Sequence, residues 1–364
     1  MNSSILKFII LNLLIFSSQF LLAQKIYIVN NQKDYVADFT ELQTAVDSVP
    51  AGSIIYLQPS AIPYKGSILR KKILIYGNGY FLGQNQVLSI QQNIQTSNIE
   101  YLNFKPGSDA SLISGVQFKR DGIYNSSIYF DTVSNIIIER SLFDARQVHL
   151  SFKNASNISI RQSFFQGPSA LESNPFIFYN SGTSSATLSN NIILGGEIAR
   201  YAGDYSGFLF DHNTFITQSS NFHLENIRFT NNIFYKKSIN SADTTVALSS
   251  GNPAGSSSKN ISNYPIFNSA TNQIISKRSS LDSIIISSNN SQGITSDDGI
   301  YKIRASSIAV NYSSDGTDCG AFGGVTSYIL SGLPPIPNIY YINVDRDATK
   351  QGGLKISLKV SAKN

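Results

Sequence analysis

The chain has 364 residues and a formal charge of +5, from 28 basic and 23 acidic side chains; 41% of it is hydrophobic, 14% is charged, and Trp is absent. This composition excludes a disordered or collagen-like chain, and a pI near 9.0 that rests on so small a charge difference is no nucleic-acid footprint. A single cysteine, Cys319, excludes an intramolecular disulfide framework and any cysteine-rich metal site.

Lys7 precedes an apolar run from Phe8 to Phe16, and Asn12 with Ser17, Ser18 and Gln19 breaks that run short of a membrane span. Residues 1–24 therefore read as a signal peptide cleaved near residue 24, and the protein as exported to the cell surface, the periplasm or the medium. No later stretch is long and apolar enough to span a bilayer. Ile26 and Ile28 suggest a short strand. Phe39, Leu42, Val46 and Val49 recur at helical spacing, predicting a helix over 39–49 with Asp38 as N-cap and Glu41 completing a capping box. Pro50, Ala51 and Gly52 stop it, and Ser53 to Leu57 and Ile73 to Tyr76 follow as strands.

Internal self-similarity then takes over. The twenty residues from Ser126 match the twenty from Val148 at a shift of 22 with seven identities, and the second half of the unit recurs at Ala186, Phe208 and Ile227. Each unit holds short alternating runs, so stacked copies must share one core, and a period near 22 suits one turn of a parallel β-coil. In that register Ile136, Ile158, Ala186, Phe208 and Ile227 form one inward column, and Ile138, Ile160, Leu188, Phe210 and Phe229 form the next. Ser141, Ser163, Asn191, Asn213 and Asn232 align as a polar ladder, followed two residues later by Phe143, Phe165, Ile193, Phe215 and Phe234. Glu139 above Arg161 reads as a ladder ion pair.

From Ser238 to Ser291 the units dissolve into Ser, Asn and Gly, with Thr245 to Leu248 and Ile284 to Ile286 as strand candidates in loose coils. Ile339 to Val344 and Leu354 to Val360 alternate around Gly352 and Gly353, which predicts a hairpin outside the coil. The expected division is thus a signal peptide over 1–24, a capped coil over 25–330 and a strand pair over 331–364.

The opening segment DFTELQTAVDSVPAG from Asp38, the repeated middle, and YKIRASSIAVNYSSDGTDCGAFGG from Tyr301 to Gly324 resemble the secreted right-handed parallel β-helix proteins of bacteria, the group that includes pectate-lyase-like enzymes. The resemblance implies an all-β, right-handed parallel β-helix with an N-terminal cap, in which Tyr301 to Gly324 would be the closing coil. It does not imply one function, since such folds host lyases, hydrolases and adhesive proteins. Lyases of the group typically use an Arg or Lys base and cations, and polygalacturonase-like hydrolases use clustered Asp residues. Here the only Asp-Asp pair, Asp297 and Asp298, reads as a turn, and a Trp-containing lyase signature cannot occur. His149, His212 and His223 are scattered and no glycine-rich phosphate loop precedes a helix, so no metal or cofactor is expected.

Stacking the strand ahead of each repeat aligns Tyr129, Ser151, Ile177, Arg200 and His223 outward, with Asp131, Lys153, Tyr179, a member near Asp204, and Glu225 in the next outward column. Arg200, His223 and Glu225 would then combine a cation, an imidazole and a carboxylate as a minimal acid/base site, with Lys153 and Tyr179 contacting sugar hydroxyls and carboxylates. Two functions stay open: binding or degradation of a polysaccharide along this lateral groove, or a non-catalytic surface rod that adheres to glycans or cells.

Overall fold

A short alternating strand buries one row of side chains only when something covers that row, and in a run of equal repeats the cover is the rest of the same coil. The computed structural model describes residues 25–85, 93–120, 127–145, 148–166, 175–195, 197–201, 204–217, 227–236, 257–263, 271–274, 283–286, 296–344 and 353–361. The expected signal peptide and the strand candidate Thr245 to Leu248 lie outside them. Among the described residues, three parallel sheets run along the coil: sheet A, nine strands from Ile26–Val29 to Arg228–Thr230; sheet B, nine strands from Asn98–Ile99 to Gln273–Ile274; and sheet C, six strands from Ser67–Leu69 to Glu197–Tyr201. Each coil visits A, B and C in turn, as in Ile137–Glu139, Leu142–Ala145 and Val148–Lys153, and the next coil repeats the path. This is a right-handed parallel β-helix.

Both inward columns of sheet A form as the repeat requires: Ile158 pairs with Ala186 and Ala186 with Phe208, while Ile138, Ile160, Leu188, Phe210 and Phe229 pair in succession. All are at least 97% buried. In sheet B the rings of Phe118, Phe143 and Phe165 stack at 4.9 and 4.3 Å, and Phe215 on Phe234 at 4.4 Å. Removing each such ring from water contributes about 1.5–3 kcal/mol.

The corner between sheets A and B repeats one backbone device. Arg140, Gln162, Asn190, His212, Asn231 and Lys259 all have φ between 50° and 60°. The residue after each belongs to the predicted ladder, in which the Asn213 side chain accepts from the Asn191 amide (3.0 Å) and donates to the Leu188 carbonyl (2.8 Å). The ladder runs beyond Asn232 through Asn260 to Asn272. Glu139 accepts from Nε and Nη2 of Arg161 at 2.9 and 2.7 Å, and its own side chain is buried.

Two expectations are corrected. The helix spans only Leu42–Ser48 and has no side-chain cap. Asp38 accepts the Ile28 amide and Phe39 bridges Val29, so the preceding residues are pinned to the first strand and cannot join the helix. Leu42, Ala45, Val46 and Val49 close the core. The second correction concerns Tyr301 to Gly324, which does not form a further coil. Residues 296–337 fold back over the outer face of sheet B as a return segment. From Cys319, bonded to the Lys259 carbonyl, it climbs past Asn231, His212, Asn190, Gln162 and Arg140, reaching Gly115 at Pro334. Under it lies a second core of Leu142, Phe164, Ile192, Ile216, Ile233 and Ile261 from sheet B, with Tyr301, Ala309, Cys319, Ala321 and Tyr328 from the segment. The chain ends in an antiparallel hairpin, Asn338–Val344 with Ile356–Ser361.

Candidate functional site

Sheet C is the lateral face on which sequence reasoning sets the groove. Its register aligns Asn103, Tyr129, Ser151, Tyr179 and Tyr201 in one column. Side chains alternate along a strand, and Asn103, Tyr129 and Ser151 alternate with the buried Phe104, Phe130 and Phe152, so these three belong to the outer face; Tyr129 is 42% exposed there. Two residues on, Asp131, Lys153 and Ser181 form the next outward column. Asp131 sits between two ammonium groups, 2.7 Å from Lys105 and 3.3 Å from Lys153. The Lys105 bond, reinforced by Lys153, holds its carboxyl below the usual carboxylate range.

The predicted site residues are distributed differently from the expected columns. Lys153 faces outward and shares Asp131 with Lys105. Tyr179 pairs with Ser151 and not with Lys153, so it stands in the tyrosine column two positions from Lys153 along the strand direction. Ile177 pairs with His149. Arg200 pairs with Phe178, at the register of Leu150 and Ile128, one position short of the Ser151 column expected for it, in which Tyr201 stands instead. The reason is spacing: the register steps 28 residues from Ser151 to Tyr179 and 22 from Tyr179 to Tyr201, where the expected column stepped 26 to Ile177 and 23 on to Arg200; an error of two keeps a position on its face, and the odd step does not. His223 and Glu225 lie outside the described residues. Asp204 caps a turn by accepting from the Ser206 amide and hydroxyl, and takes no place in the strand.

Tyr201 was missed, although the period itself signals it, since it stands 22 residues after Tyr179 in the matched endings PFIFY and EIARY. Lys105 was missed because the repeat is imperfect in that coil.

A second polar cluster sits where the return segment crosses the A–B corner. The buried His212 ring has Asp211 2.9 Å from Nδ1, and Thr317 Oγ1 and Asp315 at 3.4 and 3.7 Å from Nε2. Gly323 and Gly324 pack against the ring so closely that a Cβ on either would lie 3.1–3.3 Å from it. Burial pushes Asp211 up, but bonds from His212, Thr230 and Asn231 outweigh it and hold the carboxyl below its ordinary value. The hydroxyls of Ser313 and Thr317 hold Asp315 down to about 2. Thr317 Oγ1 already donates to Asp315 (2.7 Å) and accepts the Gly324 amide (2.7 Å), so the cluster fastens the segment and presents no spare nucleophile. Cys319 is likewise buried, its thiol pushed up to about 12 by desolvation.

Among the described residues no helix is long and apolar enough to cross a membrane. No family model matches the chain, and no curated protein matches it. Among solved structures it is similar to pectate lyase Pel9A, with 15% identity and a TM-score of 0.44 over 83% of this chain and 97% of that one.

Proposed function

We propose that this is an exported β-helix protein that binds polysaccharide along the outer face of sheet C. The observation that carries the reading is the column of Tyr129, Ser151, Tyr179 and Tyr201, which repeats at the spacing of the coils, about 4.8 Å. Aromatic rings in such a row offer stacking faces to an extended chain of sugar rings, and Lys153 beside them offers a cation to a carboxylate or hydroxyl. If the protein is also catalytic, His223 and Glu225 are the residues proposed to move protons, in a lyase-like or hydrolase-like reaction.

The test is retention on a panel of acidic and neutral polysaccharides in affinity electrophoresis, with reducing ends and unsaturated uronates assayed in parallel. Tyr129→Ala, Tyr179→Ala and Tyr201→Ala should each weaken binding several-fold, in line with about 1 kcal/mol per ring, without changing thermal unfolding. His223→Ala should abolish any bond cleavage at unchanged stability. No retention on any glycan would overturn the binding reading.

One observation favours a second reading, a non-catalytic adhesive rod. Ile342, Leu358, Val344 and Ile356 occupy paired positions of the C-terminal hairpin, with Ile339 opposite Val360, and all are 43–54% exposed. An aliphatic face of that extent fits attachment to a partner. Attachment to cells that depends on this face, with no product released from any glycan, would select it.

A further inference from the structure

The C-terminal hairpin, Asn338–Val344 with Ile356–Ser361, forms a sheet of two strands among the described residues. A lone hairpin is marginal in water and needs a cover on one face. Its alternation says which face. Ile339 with Val360, Ile342 with Leu358, and Val344 with Ile356 pair on one side, where every side chain is aliphatic and 43–54% exposed. Asn343 and Ser357 pair on the other side, which also carries the exposed Lys359. This is the pattern of a sheet with one face in a core and one in water. The coil supplies only part of that core: Ile339 and Ile342, at the base, border a cleft with Tyr35 and Tyr56, whereas Val344, Ile356, Leu358 and Val360 do not border it.

Two properties of the aliphatic face select its occupant. The first is where charge stands. An amphipathic element that lies on an anionic membrane flanks its apolar face with cations that reach the head groups. Here Lys359 stands on the reverse face, so it points away from a lipid surface and equally away from an identical hairpin, where it would otherwise meet its own like charge. The second property is area. Six half-exposed aliphatic side chains present roughly 500 Å², so two copies together remove roughly 1,000 Å² from water, which is what a specific interface should clear. An interface about a two-fold axis needs one patch and no second, complementary surface.

We infer that a second copy of this chain covers the aliphatic face, the two hairpins packing face to face about a two-fold axis as a two-layer sandwich with its sheets about 10 Å apart. Ser357 and Lys359 then lie on the outside of both layers. The inference does not rest on the polysaccharide reading, and it gives the face a different occupant from attachment to cells. Where the polysaccharide reading also holds, the pair carries two sheet C faces and grips one glycan at two places, so pairing raises avidity without a new glycan contact.

The experiment is sedimentation velocity of the full mature chain over a dilution series. It should show a reversible equilibrium of monomer and dimer, with a dissociation constant on the order of micromolar for an interface of this size. Leu358→Lys, which sets a charge in the middle of the face, should weaken pairing at least tenfold, and Ser357→Lys, one residue away on the reverse face, should leave it unchanged. Because a charge at Leu358 also weakens the hairpin itself, the unsubstituted chain supplies a second readout: amide exchange in Ile356–Ser361 should slow as protein concentration rises. Vesicles of phosphatidylglycerol and phosphatidylcholine should not retain the chain. A chain that stays monomeric at every concentration, a dimer that Leu358→Lys leaves intact, hairpin exchange that ignores concentration, or retention on the vesicles that Leu358→Lys abolishes would each overturn the inference.

Discussion

At the scale of single residues, the A–B corner shows how a left-handed backbone and a buried amide support one another. A non-glycine residue at positive φ costs about 1–3 kcal/mol and persists only where its surroundings over-determine it. Here the residue that follows makes the determination: the Asn232 side chain receives the Asn213 amide at 2.7 Å and donates to the Phe210 carbonyl at 2.9 Å, so a turn of backbone that would be orphaned is bonded. The corner residues themselves point out to the return segment, and Asp211 and Asp315 flank the His212 ring in that contact. Asp211 and Asp315 both lie below the ordinary carboxylate value of 3.8 in the folded protein, Asp315 at about 2. A depressed folded-state value means the stability is present above about pH 4 and is lost as the pH falls from there through about 2. Asp298 has the opposite sign. Burial raises its carboxyl despite bonds from Ser331 and Asn85, so its contribution is full at low pH and is lost as the pH rises through its folded-state value. Thermal unfolding followed from pH 2 to 5 in an Asp298→Asn background should therefore show a falling midpoint on acidification, and Asp315→Asn should flatten that fall while lowering the midpoint at neutral pH. An unchanged slope in Asp315→Asn would remove the carboxylate from the account.

At the scale of elements, sheet B differs from A and C in being buried on both faces. Consecutive apolar pairs mark it: Leu142-Phe143, Phe164-Phe165, Ile192-Ile193 and Ile233-Phe234, where a half-buried strand would alternate. The first member of each pair packs under the return segment and the second inside the coil. Phe164→Ala should therefore destabilise about as much as Phe165→Ala, each by about 3–5 kcal/mol in urea unfolding, whereas an outward Phe164 facing water would cost well under about 1 kcal/mol. The inward columns, the amide ladder and the hairpin strands were legible in the sequence because each repeats a residue type at a fixed spacing. The return segment was not, because its partners are backbone groups: Arg140 donates to the Leu333 carbonyl, Gln162 to that of Ser327 and Asn190 to that of Gly323, and a carbonyl leaves no trace in residue identity. The paired apolar residues of sheet B were the available signal. The lateral columns failed because the coils differ in length: the step from Ser151 to Tyr179 is 28 residues and that from Tyr179 to Tyr201 is 22, so Tyr201 and not Arg200 falls in the Ser151 column.

At the scale of the whole molecule, the same segment changes what kind of solenoid this is. In a simple repeat protein each coil touches only its neighbours, so stability is a sum of local terms and the two ends can open independently. Here one stretch of chain bonds the coil of Asn231 at Ser314 and Gly320, the coil of Gln162 at Ser327, the coil of Arg140 at Leu333 and the loop of Tyr80 at Ser331. Opening the far coils frees the segment, and freeing the segment uncovers the apolar outer row of Leu142, Phe164, Ile192 and Ile233. The coils should therefore unfold together. Native-state hydrogen exchange tests this directly: Ile233→Ala, in a late coil, should reduce protection of the amides around Ile55 and Ile75 in the first coils by the same factor as those around Ile193, because all report one global opening. In a chain with Gln162→Ala and Asn190→Ala together, which lose the side-chain bonds to the segment, the effect of Ile233→Ala should shrink toward the late coils and leave the first ones protected. Protection that is local in both backgrounds would mean that the return segment covers the coil without coupling it.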